Sequence, residues 1–447
     1  MGRAERQMKE FGEYINITLE ELIFAFSNVL NLVDTRLYDH HKQVAYIAYE
    51  IAKELNLPEK EIKEVIMVGL IHDIGAFKQE EIDNIINFED ENVENHSIGG
   101  YLLLNTINSL SHMAEALRWH HRRWEYGKGF KGINTQTAMI SQIIYLADRV
   151  SILIETIPKN ILSKSEEILN TIEYEKDSKF NPELVDIFKK ISNKPSFWIN
   201  IVTQYKEPIL KNVLNFKNSK VTYEEFMDIS KLFIYSIDFR SRYTAAHSIG
   251  VAAVAERLSK LCGMSENDCK MMKIAGYFHD IGKLVIPVEI LDKPSRLTKD
   301  EYDVIKQHTY YTYHILDNIK GMEKIRDIAA YHHETLDGKG YPFGINKHML
   351  SNKSRLMAVA DIFTALTEKR PYRESMKKDE VANILMNMVN KNKIEKNIVE
   401  IAIDNYEELY EYNKTNQSEA IKDFYSIQNR FDSDLKIING FVVTSST

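Results

Sequence analysis

Seven side chains in the second half of the sequence are of the types that hold metal ions: His247, His279, Asp280, His308, His332, His333 and Asp361. A lone histidine on an apolar helix face is ordinarily a satisfied core residue. Five histidines and two aspartates are different, because burying that many ionisable groups is costly unless something compensates them. A metal ion does so directly, since neutral imidazole and carboxylate are its ligands. The set offers nitrogen and oxygen donors and no thiolate, which suits Fe, Mn, Zn, Ni or Co and disfavours a structural zinc finger. Seven ligands exceed one tetrahedral site. They suit two divalent ions sharing a carboxylate, with Asp280 the natural bridge. Water between two cations is acidified towards hydroxide near neutral pH, and the same cations stabilise charge on phosphate oxygens. The chemistry suggested is phosphoester hydrolysis. Lys283, one turn beyond His279, is either a solvated lysine or a cation for the scissile phosphate and its leaving oxygen.

The first half repeats the set. His40, His72, Asp73, His96, His120, His121 and Asp148 precede their counterparts by 207 to 213 residues, in the same order. Ile17-Thr18-Leu19-Glu20-Glu21 returns as Val221-Thr222-Tyr223-Glu224-Glu225, and Asp34 as Asp238, both at an offset of 204. His72-Asp73-Ile74-Gly75 returns as His279-Asp280-Ile281-Gly282. The offset drifts in small steps, as in a duplicated unit with loop insertions. A period of about 200 residues means a tandem of whole domains and not a solenoid. The polar stretch from Asn215 to Lys220 is a plausible connection, which gives domains at 1–215 and 216–447.

Helices must position these groups. Val44, Ile47, Ala48, Ile51 and Leu55 follow His40, and Val251, Val254 and Leu258 follow His247, at amphipathic helix spacing. Ser265 to Asp268 reads as a capping box with Asp in the Glu place, opening the helix that runs to His279-Asp280, where Gly282 supplies the break. Thr298 to Glu301 is a full capping box before His308. Asp337, Gly338, Gly340, Tyr341 and Pro342 form a rigid turn directly after two of the histidines, so it lines the site. Strong period-2 runs are absent, and the expected fold class is all-α, one helical bundle per half.

Composition narrows the function. Hydrophobic residues are 44% and charged residues 27%, ordinary for a soluble globular chain. A net charge of -8 argues against a sequence-independent DNA binder. Two cysteines, Cys262 and Cys269, exclude a disulfide scaffold. The polar N-terminus is not a signal peptide, and no long uncharged apolar run suggests a membrane span. A cytoplasmic protein is expected.

At these residues the sequence resembles the HD superfamily of metal-dependent phosphohydrolases. Its second half resembles the HD-GYP phosphodiesterases over roughly residues 235–380: His279-Asp280-Ile281-Gly282-Lys283, His332-His333-Glu334, Asp337-Gly338-Lys339-Gly340-Tyr341-Pro342, and Asp361 with Arg370-Pro371-Tyr372-Arg373. The resemblance implies two tandem HD-type helical bundles and a bi- or trinuclear centre, often iron or manganese. It implies a cyclic dinucleotide substrate, chiefly cyclic di-GMP. By motif, His247, His279, Asp280, His308, His332, His333 and Asp361 are ligands, Asp280 and Lys283 are catalytic, and Tyr341 with its neighbours is the substrate-side loop. That loop is also a docking surface for diguanylate cyclase domains in the family. Trinuclear members have a glutamate four residues before the first ligand, where this sequence has Tyr243, so two ions are favoured. Ser241-Arg242 replaces the usual Asp-Pro.

The first copy resembles a degenerate relative. Every ligand has a counterpart, but Ala76 stands in the lysine place. Its loop, Arg122 to Phe130, lacks Asp-Gly and Tyr-Pro, and no Arg-Pro-Tyr-Arg follows Asp148. It is either a regulatory or homodimerising domain, or a second hydrolase using Arg122 or Arg123 on phosphate. For the whole chain the leading expectation is a phosphodiesterase acting on cyclic di-GMP or 3',3'-cyclic GMP-AMP. The alternatives are an HD hydrolase for another phosphoester and a non-catalytic sensor.

Overall fold

The computed structural model describes residues 15, 17–33, 39–76, 94–155, 160–215, 220–240, 245–368 and 374–444. Asp34, Ser241, Arg242, Tyr243 and the run Arg370 to Arg373, singled out in the sequence, lie outside the described residues. Among those described there are helices and no β-strand, so the chain is all-α.

Two compact units divide the chain: Thr18–Ser219 with Asn429–Thr447, and Met1–Ile17 with Lys220–Gln428. Ile15 and Ile17 group with the second unit because the Ile15 amide donates to the Val221 carbonyl at 2.9 Å and the Val221 amide donates to Ile17 at 3.0 Å.

The first unit runs α1 (Leu19–Val33), α2 (His40–Glu54), α3 (Glu59–Ile71), α4 (Glu94–Asn105), α5 (Ser111–Arg118), α6 (Thr135–Glu155), α7 (Ile161–Tyr174), α8 (Pro182–Ser192), α9 (Pro195–Val202) and α10 (Lys206–Leu214). The second runs α11 (Tyr223–Arg240), α12 (Ala245–Leu261), α13 (Glu266–Phe278), a 3-10 turn at Ile281–Val285, α14 (Val288–Leu291), α15 (Lys299–Asp317), α16 (Glu323–Ala330), α17 (Asn352–Thr367), α18 (Lys378–Asn390), α19 (Lys396–Asp404) and the start of α20 (Tyr406–Thr444), whose residues from Asn429 on group with the first unit.

The packing is duplicated with the sequence. α2 packs on α3 and α6, as α12 packs on α13 and α17, and α4 packs on α5 as α15 packs on α16. The crossing of α2 with α3 depends on Gly69, where a Cβ would meet the Ala45 Cα at 2.9 Å. Gly276 makes the same crossing against Ala252, at 2.4 Å. The repeated Thr-x-x-Glu is a duplicated capping box: Thr18 with Glu21 opens α1, and Thr222 with Glu225 opens α11. Ser265 and Thr298 cap α13 and α15 through the Asp268 and Glu301 amides.

Within α6, Thr135–Ile154 is long and apolar enough to cross a membrane, but 83% of that stretch is buried inside the protein. It is a core helix, and the two charged residues of that stretch, Asp148 and Arg149, are fully buried.

Candidate metal centre

In the second unit α12 begins with His247 in its first turn, α13 ends at His279-Asp280, α15 presents His308, α16 ends before His332-His333, and α17 carries Asp361. Helix ends and facing helices thereby point ligands from five elements at one volume. Gly282 makes this possible. It breaks the helix without a positive φ. A Cβ there would lie 1.9 Å from the His308 carbonyl oxygen, so the glycine lets the turn bearing Asp280 rest on the backbone of α15. Gly75 does the same in the first copy, 2.0 Å from the His96 carbonyl.

Donor atoms of His247, His279 and Asp280 form one group within 4.8 Å, and those of His308, His332 and His333 form another. Asp280 joins them: Oδ2 is 3.1 Å from His279 Nε2 and Oδ1 is 3.3 Å from His308 Nε2. Asp361 Oδ1 lies 3.2 Å from His247 Nε2 and 3.9 Å from His279 Nε2. Backbone carbonyls fix the other ring nitrogens: Gly276 takes the Nδ1–H of His279, Ile305 that of His308 and Ala329 that of His332. Each Nε2 lone pair is thereby turned to the centre. All seven predicted ligands converge.

Three of the imidazoles are held neutral, the form in which histidine ligates a metal. Burial lowers His308 to about 3, even against Asp280, and lowers His332 and His333 as well. His247 goes the other way: burial opposes its charge, but Glu368 and Asp361 prevail and raise it to about 10. For Asp280, burial would raise the carboxyl, yet His279 and Lys283 hold it well below the usual range. Lys283 Nζ sits 2.5 Å from Asp280 Oδ2, a positive charge at the rim of the donor set.

One group escaped the sequence reading, and a second, Glu334, was quoted there in a motif without a role. Glu368 Oε2 accepts from His247 Nδ1 at 3.0 Å. Its signal was its position seven residues after Asp361, matched by Glu155 after Asp148. Glu334 is buried, and its Oε1 accepts from the Phe343 and Gly344 amides at 2.7 and 3.0 Å, which pins the loop. Within that loop Gly338 has φ 72°, Asp337 Oδ1 accepts from Thr335 Oγ1 at 2.5 Å, and a Cβ on Gly340 would meet the Glu334 Cα at 2.4 Å. The Tyr341 ring stands 4.9 Å from the His333 ring, with Pro342 following.

The first copy builds the same centre. Asp73 groups with His96, His120 and His121 on one side and with His40 and His72 on the other. Asp148 Oδ1 is 3.3 Å from His40 Nε2. Burial takes His96 to about 4 and His120 to about 3. The loop differs. The Trp124, Glu125 and Tyr126 amides donate to Lys179, Ser178 and Asp177, Arg122 stacks on Trp119, and Arg123 approaches Glu175. His41, left out of the predicted set, is buried beside the centre.

Both sets fit divalent ions. His279 Nε2, His72 Nε2, both Asp73 oxygens and Asp148 Oδ1 are buried and make no hydrogen bond. Each such atom costs about 1–3 kcal/mol when left unsatisfied, and a cation would satisfy them together.

HD-domain family profiles match residues 37–153 and 211–398. The 3'3'-cGAMP-specific phosphodiesterase 1 of Vibrio cholerae is 31% identical over 412 residues, spanning 90% of this chain and 95% of that one. The chain belongs to the HD-domain phosphodiesterases. Another member, the cyclic di-GMP phosphodiesterase response regulator RpfG of Xanthomonas campestris, is 36% identical over 146 residues, 32% of this chain and 39% of its own. A crystal structure of a cyclic GMP-AMP-specific phosphodiesterase of Vibrio cholerae shares the fold at a TM-score of 0.60, with 22% identity over 87% of this chain and 97% of that one. HD-domain phosphodiesterases are metal-dependent, in keeping with the two donor sets.

Proposed function

We propose that the chain hydrolyses a cyclic dinucleotide at the second-copy centre, with 3',3'-cyclic GMP-AMP favoured over cyclic di-GMP. The observation that carries this reading is the convergence of seven donors with Lys283 at their rim and the Asp337 to Pro342 loop beside them. The choice of substrate is supported by the extent of similarity. The relative named for cyclic GMP-AMP matches across both copies, whereas the one named for cyclic di-GMP matches about a third of the chain.

Two divalent ions, iron or manganese, would be held by His247, His279, Asp280 and Asp361 and by Asp280, His308, His332 and His333. When bound, such ions acidify water and stabilise charge on phosphate oxygens. Asp280 spans the two positions. Lys283 supplies an ammonium for the phosphate or the departing oxygen. Tyr341 closes one side over His333, and the half-exposed rings of Phe343 and Tyr310 offer π-faces to a base. The same loop is a candidate docking surface for a diguanylate cyclase domain. The first copy, with Ala76 in the lysine place and Arg122 engaged on Trp119, is assigned a regulatory or homodimerising role in domains at 1–215 and 216–447. A cytoplasmic location is part of this proposal; Cys262 and Cys269 are both free thiols, as a reducing compartment keeps them.

Anaerobically purified protein should linearise 3',3'-cyclic GMP-AMP when supplied with iron or manganese. Asp280→Ala should stop it; undiminished turnover by that variant would overturn the assignment. Stoichiometric binding without turnover by the wild type would make the chain a sensor instead.

A further inference from the structure

The residue after the first ligand is His41 in the first copy and Ser248 in the second, and each is buried to 1% exposure. His41 Nδ1–H donates to Asn31 Oδ1 at 2.9 Å, which fixes the tautomer and leaves the Nε2 lone pair available. That Nε2 makes no hydrogen bond and stands 3.8 Å from Asp73 Oδ2. The same oxygen is 3.0 Å from His72 Nε2 and 3.5 Å from His40 Nε2. The three imidazoles form a nearly equilateral triangle, with centroids 5.5, 5.3 and 5.4 Å apart. Donors about 2.1 Å from one ion lie roughly 3 to 4 Å from each other, and the three Nε2 atoms stand within that range of Asp73 Oδ2.

We propose that His41 is an additional metal ligand through Nε2, giving the first copy's ion on His40, His72, Asp73 and Asp148 a fifth protein donor and closing a position that the second copy leaves open. Structural sites are closed, whereas catalytic sites keep a position for water or substrate. Arg149 acts in the same direction. It is fully buried and its Nε and Nη2 donate to Asp148 Oδ2 at 3.0 and 2.7 Å, leaving Oδ1 for the ion. The matching residue of the second copy is Ile362. The first copy thus holds its ion for structure, which deepens its non-hydrolytic assignment and rests on that copy binding metal, not on the second copy's substrate.

The test uses the full chain as wild type, His41→Ser, which copies Ser248, and Asn31→Ala, which keeps the ligand and frees its ring. Each is loaded with Co(II), and metal content, the rate of ion release to a chelator and the visible cobalt absorption are read, with circular dichroism as the folding control. His41→Ser should release one class of ion about 10–100-fold faster and alter the cobalt bands, and Asn31→Ala should accelerate the same class less. The effect should persist in an Asp280→Ala background, where the second copy is disabled, so a failed hydrolysis assay leaves these readouts intact. Wild-type release and bands in folded His41→Ser would overturn the proposal. If His41→Ser does not fold, unchanged release from Asn31→Ala would do the same.

Discussion

His247 shows how much of the site depends on a neighbour that touches no ion. Its Nε2 faces Asp361, and its Nδ1 is held by Glu368, whose carboxylate is buried with it. A carboxylate behind a ligating imidazole fixes the ring and raises its basicity. Glu368→Gln keeps the shape but removes the charge, so the second copy should bind its ion about 10–100-fold more weakly. Competitive chelation would show this; an unchanged affinity would leave Glu368 a packing residue. The seven converging donors were legible because imidazole and carboxylate repeat in order across two copies. Glu368 was not, because a single glutamate at a helix end looks like any solvated carboxylate until the fold turns it inward. His41 escaped for a related reason: the repeat places serine opposite it, so matching the copies discards the residue in which they differ.

At the scale of elements, the glycine of each His-Asp-Ile-Gly is a contact between backbones. Gly75 and Gly282 let the turn bearing the central aspartate settle on α4 and α15, so ligand geometry and helix packing are set by the same atoms. Gly282→Ala should cost at least about 1–3 kcal/mol of stability, as overpacking does, and should also weaken metal binding, because the displaced partner is the backbone of His308. Gly263→Ala, at an open position with φ 74°, is the comparison: it strains a turn but meets nothing within 4 Å. Denaturant unfolding paired with metal titration separates them, and a loss of stability from Gly282→Ala without any loss of affinity would contradict the coupling. The helices themselves were readable from Ser265, Thr298 and the apolar spacing after His40 and His247. The role of Gly282 was not, since a glycine after a helix looks the same in sequence whether it reverses the chain or admits a neighbour.

For the whole molecule, two units each organise a core around ligands drawn from several helices. Such ligands repel or strand one another when no cation is present, so metal-binding free energy becomes folding free energy. Free metal at about a thousand times its Kd adds about 4 kcal/mol to the folded state. For a unit of this size that corresponds to roughly 8–16 °C in Tm. The duplication makes the prediction sharper, because each unit should respond to its own ion. Chelation should lower the melting of both units. Asp280→Ala should remove the metal dependence of the second while sparing the first, and Asp73→Ala should do the reverse. Calorimetry with and without metal reads both. Equal melting of metal-free and metal-loaded protein would mean that neither set stabilises the fold. A response confined to the Asp73 set would mean that the first copy has kept a structural ion while the second binds its ions too weakly to matter for folding, the balance expected if one copy is specialised for stability and the other for turnover.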